Sequence, residues 1–265
     1  LGYFPKREEL SFWHYTDTPT MPQNSPIPHD SWAEAYDIAY EQSFGRFYES
    51  LTTATLELVL GTILPPARIV DFGAGTGRLS IPLAGHGFQV DAVDPSTGML
   101  DQLRAKDPKG TVAVHRMHMQ DFRAENAFDM ALCVFTVLLY LLDEEALEQS
   151  LEAAFRALRP GGTLLIDIPS KALFRSSRLE KHNIDRHVTV AHVNDAVFTY
   201  REKLTIRDED GERNFTDEFQ IRHWPFEKVV ESLRKVGFQL EKNFSRELAG
   251  SGSQYLLMKK RQGGR

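Results

Sequence analysis

Three glycines fall within five positions of the stretch IVDFGAGTGRLS, Ile69 to Ser80, and an aspartate, Asp71, stands two residues ahead of the first. A glycine-rich turn after a short apolar strand lets a ligand lie against main-chain N–H groups where a helix begins. A tight strand-to-helix turn accounts for one glycine but poorly for three. The pattern also departs from the GxGxxG of dinucleotide sites: Gly73 and Gly75 fit its first two places, Gly77 comes one residue early, and Arg78 stands where the third glycine belongs. Asp71 would repel a diphosphate and attract an ammonium group. The loop therefore suits a ligand with a cationic amino-acid end.

Such a loop has to be held by alternating strands and helices, and the middle third of the chain supplies them. ARIVDF, FQVDAVDP, TVAVHRMHM, FDMALCVFTV and TLLIDIP read as strands, separated by GRLSIPLAGHG, STGMLDQLRAK and DEEALEQSLEAAFRALRPGG as helices, the last ending at Gly161. This alternation predicts an α/β fold with a doubly wound, mostly parallel sheet. Ahead of it, residues 1 to about 33 read as an irregular Pro-rich arm carrying Tyr3, Phe4, Phe12, Trp13 and Tyr15. From Ser31, read as an N-cap, helical spacing runs to Pro65 with a break at Gly45. Beyond it, VFTYREKLTIRD and RNFTDEFQIRHW form an antiparallel hairpin with Asp210 and Gly211 in the turn. A helix from Pro225 to Gly237 and two strands, FQLEKNFSREL and QYLLMKK, complete the chain. The division is 1–65 arm and helical lid, 66–169 ligand-binding core, 170–224 antiparallel cap, and 225–265 helix and strands that complete the core sheet.

Composition narrows the function. At 265 residues the chain can bury a full core without staples, and a net charge of −6 offers nothing to a polyanion. No basic stripe interleaved with aromatics points to nucleic acid, and the tail KKRQGGR is too short to make one. The single cysteine, Cys133, sits in the apolar run MALCVF and reads as a buried thiol. No stretch is long and apolar enough to span a membrane and no secretion signal is evident, so a cytoplasmic location is expected. A first residue Leu1 rather than Met leaves the native start open.

The run IVDFGAGTG, the strand ending VDAVDPS, the pair Asp121-Phe122 and RALRPGGTLLI, in that order from Ile69 to about Ile168, resemble the motifs of class I S-adenosylmethionine-dependent methyltransferases, of the small-molecule type. The resemblance implies a seven-stranded sheet with a reversed last strand, which the antiparallel ending matches, and S-adenosylmethionine as cofactor. It places Asp71, Gly73, Ala74 and Gly75 around the methionine part. Asp94 and Pro95 fall at the ribose, where a carboxylate at a strand end can accept both hydroxyls; its bland role, an N-cap, is open to Ser96 instead. Gln120, Asp121 and Phe122 fall at the adenine, with the Asp121 carboxylate accepting from the amino group and the Phe122 N–H facing a ring nitrogen. Phe135 and Thr136 would line the methyl end, with burial in the core a near equal for Phe135.

The chemistry of such a site is in-line displacement, which positions an acceptor atom against an activated methyl, excludes water and needs no metal. A base is required where the acceptor carries a proton, and the sequence does not single one out. Tyr36 and Tyr40 share one helix face at i, i+4, which suits a lid and a plain core stripe equally. Tyr140 lies after the fourth strand, within LLYLL. His182, His187, His192 and His223 fall in the cap region. His115 and His118, three apart on a strand, point to opposite faces and make a poor metal pair. The hairpin sets Phe198, Tyr200, Leu204 and Ile206 on one face against Thr199, Arg201, Lys203 and Thr205; that apolar face could cover a small acceptor, the sheet edge, or a second subunit in a homodimer. A small-molecule methyltransferase is the reading, with a non-catalytic cofactor-binding relative and an NAD(P)-dependent oxidoreductase as alternatives.

Overall fold

The computed structural model describes residues 27–181, 183–209 and 211–261. The aromatic arm before Ile27, His182, Asp210 and the last four residues of the basic tail lie outside the described residues. Two helices come first, α1 (Ala33–Phe44) and α2 (Arg46–Leu60), broken at Gly45. The sequence reading put an N-cap at Ser31. In the structure Asp30–Trp32 is a short 3-10 turn and α1 begins after it, with Trp32 and not Ser31 at its N-cap.

Five strands then alternate with helices: β1 (Arg68–Phe72), α3 (Ser80–Gly85), β2 (Gln89–Asp94), α4 (Thr97–Lys106), β3 (Val112–Arg116), β4 (Phe128–Cys133), α5 (Glu144–Ala157) and β5 (Leu158–Pro169). Every residue of β4 is buried, as expected of a parallel strand covered on both faces. The Asp143 side chain caps α5, accepting from the Ala146 N–H. The helix stops at Ala157, not at Gly161 as the sequence suggested. Pro160 holds Arg159 out of the helical region, so Leu158 to Gly162 opens β5 instead.

A second sheet follows, a meander of β6 (Ser177–Lys181), β7 (Ile184–His192), β8 (Val197–Asp208) and β9 (Gly211–Arg222). Gly211 pairs with Asp208 inside the ladder, so the hairpin turn is centred one residue earlier than the sequence reading placed it. The chain ends with α6 (Phe226–Val236), β10 (Phe238–Asn243) and β11 (Ser253–Lys260). The main sheet has seven strands in the order β10-β11-β5-β4-β1-β2-β3, parallel throughout except for β11, which runs against both β5 and β10. Leu147, Leu151 and Leu233 from α5 and α6 pack one face, and Val59, Leu83, Leu100 and Leu103 from α2, α3 and α4 pack the other. The strand order reverses between β1 and β4, which opens a crevice beyond their carboxyl ends.

Candidate functional site

The glycine loop lies at that crevice, and its three glycines have separate jobs. A Cβ on Gly73 would run into Val137, and one on Gly77 would sit 2.8 Å from Leu103 and 2.9 Å from Ile81. Both positions need glycine for packing. Gly75 differs: its φ is 53°, and nothing lies within 4 Å of the place a Cβ would take. It presents bare main chain to open space. The Gly75 N–H donates to Asp94 Oδ2 at 2.9 Å, and the Ser96 N–H donates to Oδ1 at 2.9 Å. Ser96 caps α4 by accepting from the Met99 N–H at 3.0 Å, which frees Asp94 from that duty. Each Asp94 oxygen retains acceptor capacity beyond these single bonds. Burial raises its pKa to about 6 against those two N–H groups, and Asp30 adds to the rise.

Asp71 lies under the loop, accepting from the Ser80 hydroxyl at 2.6 Å. Burial pushes it up to about 7, the Ser80 bond opposes this and Asp94 adds to it. A buried carboxylate beside a hydroxyl and a second carboxylate is a place for a cation. Gly75's open face, the spare acceptors of Asp94 and the unpaired Asp71 together fit a nucleoside joined to an amino acid. Ala74 is buried within the loop, in the core cluster under it, and Pro95 directly follows Asp94 at the end of β2.

Phe135 and Thr136 follow β4 in consecutive left-handed conformations, φ 63° and 71°. For side chains with a Cβ this costs about 1–2 kcal/mol each, a strain that persists where surrounding structure imposes it. The imposing group is Asp167 on β5, whose Oδ1 accepts the Thr136 N–H at 3.0 Å. Burial lifts Asp167 to about 6 despite hydrogen bonds from Ser253 and Thr136. The Phe135 ring lies 3.9 Å from the Arg78 guanidinium carbon, and Tyr48 of α2 lies 3.6 Å from it on its own ring axis. Arg78 also donates to Thr52 Oγ1 at 2.6 Å and to the Tyr48 carbonyl at 2.7 Å. The residue that spoils a dinucleotide motif thus clamps α2 to the loop.

The Phe122 N–H closes a 3-10 turn by donating to the Met119 carbonyl at 3.2 Å, and its ring joins the core beside Phe72 and Phe128. Asp121 stays partly exposed near Arg123, and the Gln120 amide oxygen accepts from Ser150 at 3.4 Å. His118 likewise lies beyond β3, while His115 meets Asp91 at 2.8 Å. Among the described residues no group of three or more His, Cys, Asp or Glu is placed to hold a metal ion.

The segment ahead of the core closes over the loop. Asp37 of α1 accepts from Thr76 at 2.7 Å and pairs with Lys106 of α4 at 2.6 Å. Asp30 accepts from the Ser96 hydroxyl at 2.7 Å and the Gly98 N–H at 2.9 Å. Tyr36 and Tyr40 stack at 4.2 Å and pack with Trp32 against Ile184, Leu204 and Ile206 of the second sheet. Tyr140 packs with Phe198, Phe219 and Ile221 from the same sheet. The hairpin's apolar face is thus used inside the chain. Tyr36, Tyr40, Tyr140 and Tyr200 all stay partly exposed, although burial raises the pKa of Tyr36, Tyr140 and Tyr200 strongly.

That inner face carries charge as well. Glu202 occupies an inward place between Tyr200 and Leu204, and Arg186 lies inward on β7; Arg186 Nε donates to Glu202 at 2.6 Å with both side chains buried. Asp217 on β9 is a third buried charge, accepting from the Trp32 indole at 3.1 Å. Next to it lies His29, which sequence reasoning passed over. It is 6% exposed, with its Nε2 3.0 Å from the Tyr140 hydroxyl. Glu202 was legible as a charge interrupting VFTYREKLTI at an apolar-face position, and Asp167 as a charge inside TLLIDIP. Nothing near His29 in the sequence marked it. His187 faces outward, and His192 and His223 pack on Phe198 and Phe174. A cleft of about 480 Å³ opens beside this region, bordered by Asp30, Glu202, Asp217, Glu218, Arg201 and Lys203.

Comparison with known proteins agrees with this geometry. The family described as "Methyltransferase domain" matches residues 69–162. A putative methyltransferase of Geobacillus sp. strain WCH70 is 34% identical over 105 residues, 39% of this chain and 42% of that one, so the match spans under half of that relative. The putative methyltransferase YqeM of Bacillus subtilis strain 168 is 27% identical over 215 residues, 76% of this chain and 87% of that one. Among solved structures, an amino pentose methyltransferase of Micromonospora echinaspora with S-adenosylmethionine bound superposes with a TM-score of 0.70 at 19% identity, covering 85% of this chain and 96% of that one. At that identity the likeness is one of fold.

Proposed function

The chain belongs to the class I S-adenosylmethionine-dependent methyltransferases, and from that premise we propose that it methylates the amine nitrogen of a small-molecule acceptor. The observation that carries the reading is the 2.7 Å bond from Thr76 to Asp37, which ties the helix carrying the partly exposed Tyr36 and Tyr40 to the glycine loop, where Gly75 presents its open face beside Asp94. S-adenosylmethionine supplies, when bound, a sulfonium methyl already activated for displacement.

Asp71 would hold the cofactor's ammonium, Gly75 would admit its backbone, and Asp94 would accept from its ribose hydroxyls. Phe135 and Thr136, fixed by Asp167, would border the methyl. The chain's remaining work is to aim a lone pair and exclude water, and a ring of tyrosines packed between α1 and the second sheet does both. The acceptor's chemistry is read from the cleft, where Glu202 is paired with Arg186 and Glu218 with Arg201 while Asp30 and Asp217 accept from neutral donors, so carboxylate charge is left to favour a basic molecule. The amino-sugar substrate class named for the Micromonospora neighbour agrees. A small acceptor in a closed site suits this chain better than nucleic acid, whose binding would call for a basic groove. The test is incubation with methyl-labelled S-adenosylmethionine and a panel of amines, phenols and carboxylates, glucosamine among them. Label on amines supports the proposal. Label confined to phenols or carboxylates would move the acceptor class, and label on none while the cofactor binds would favour a non-catalytic relative.

A further inference from the structure

We propose that His29 is a positioning residue that turns the Tyr140 hydroxyl so that its oxygen faces the acceptor's N–H. The inference rests on the methyltransferase reading above but concerns a residue outside it. Three observations meet at this side chain. Its backbone is left-handed, φ 64°, with the N–H donating to Asp217 Oδ2 at 2.7 Å. Its ring is wedged edge-on among Trp32, Phe219 and Tyr140 and tilted against Tyr36. Its Nδ1 is buried without a hydrogen-bond partner, 3.8 Å from the same Asp217 oxygen, while Nε2 stands 3.0 Å from the Tyr140 hydroxyl.

The tautomer follows from charge. A bare lone pair on Nδ1 aimed at a carboxylate is repelled, whereas an N–H there is attracted, so the proton belongs on Nδ1 and Nε2 is the acceptor. Tyr140 then donates to His29, and the lone pairs of its oxygen are left for a donor on the other side. The groups that face the imidazole are Arg186 from β7, Asp217 from β9, Tyr36 from α1 and Tyr140. Burial and Arg186 hold it neutral, down to about 3, and burial holds the Tyr140 phenol protonated. No proton is transferred between the two. A neutral amine whose N–H is held by the Tyr140 oxygen has its lone pair directed away from that oxygen, and the carboxylates of Asp94, Glu202 and Asp217 all act on the Tyr140 phenol.

The first experiment needs no acceptor. Long-range proton–nitrogen spectra of ¹⁵N-labelled protein should show one imidazole that stays neutral from pH 8 to pH 5 with Nε2 bare, and that resonance should move in Tyr140→Phe. A His29 that carries its proton on Nε2, titrates near pH 6.5, or ignores Tyr140→Phe overturns the proposal. The second uses labelled cofactor with glucosamine as the amine probe. His29→Phe keeps the ring packing and removes the acceptor; it should lower kcat about tenfold or more with S-adenosylhomocysteine binding unchanged. His29→Gln, which returns an acceptor oxygen, should recover most of the loss, and His29→Phe with Tyr140→Phe should be no slower than Tyr140→Phe alone. Undiminished kcat in His29→Phe overturns the proposal. A wild type that binds S-adenosylhomocysteine but leaves glucosamine unmethylated counts against the amine reading, while the imidazole spectra still decide this one.

Discussion

The two halves of the proposed site are built from different materials. The cofactor half is main chain and carboxylates: Gly75 bare on its open side, Asp94 held by two backbone N–H groups, Asp71 beneath. The acceptor half is side chain against side chain, with tyrosines stacked on a sheet that buries Arg186 and Glu202 as a pair. Main-chain binding tolerates little change at the one glycine, and its φ of 53° adds about 1–2 kcal/mol of local strain for any side chain placed there. A side-chain half that doubles as core couples recognition to stability. Substitutions in the first half should therefore cost ligand affinity, and those in the second should cost folding first.

The sharpest way to break this contrast is Glu202→Leu. Leaving Arg186 buried without its carboxylate should destabilise the protein by about 3–5 kcal/mol in denaturant titration, and Arg186→Met with Glu202→Leu should restore most of it. If Glu202→Leu melts like wild type, the second half is not core. On the cofactor side, Gly75→Val should weaken S-adenosylhomocysteine by about a hundredfold or more, about 2.7 kcal/mol, because the side chain fills the open face; calorimetry reads this beside a melting curve that stays cooperative. Asp94→Ala should cost about 1–3 kcal/mol of the same affinity, and equal affinity would remove the carboxylate from the ribose.

The smallest effect is in pH. Asp71 sits at about 7 without a cation beside it, and pairing with an ammonium favours its ionised form. Binding then releases a proton below that value, so affinity should fall by up to about tenfold per pH unit from pH 7 down to pH 6, where Asp94 begins to add to the slope, and be flat above. Asp71→Asn should bind weakly at every pH and lose the part of the slope that lies above pH 6.

The same contrast explains what the sequence disclosed. Asp71, Gly73, Gly75 and Asp94 lie on or beside loops that join adjacent strands and helices, so their spacing carries their geometry, and the reversed β11 is the one that the resemblance to the methyltransferases implied. The turn that occupies the Phe122 N–H was hidden, since a 3-10 closure onto Met119 leaves no mark in residue type. The acceptor half joins residues 29, 36, 140, 186 and 202 from separate segments, and periodicity within one segment cannot say which others it will face. Glu202 showed as a break in alternation. Its partner Arg186 and the His29–Tyr140 contact arise only once β7, β8 and the N-terminal turn are packed together.

The central claim is that the crevice at Gly75 takes S-adenosylmethionine, and calorimetric titration of the wild type and Gly75→Val with S-adenosylhomocysteine and with NADH tests it most directly. Saturable heat with S-adenosylhomocysteine that Gly75→Val abolishes, and none with NADH, is the predicted result. Tight binding of NADH with no heat from S-adenosylhomocysteine would contradict it.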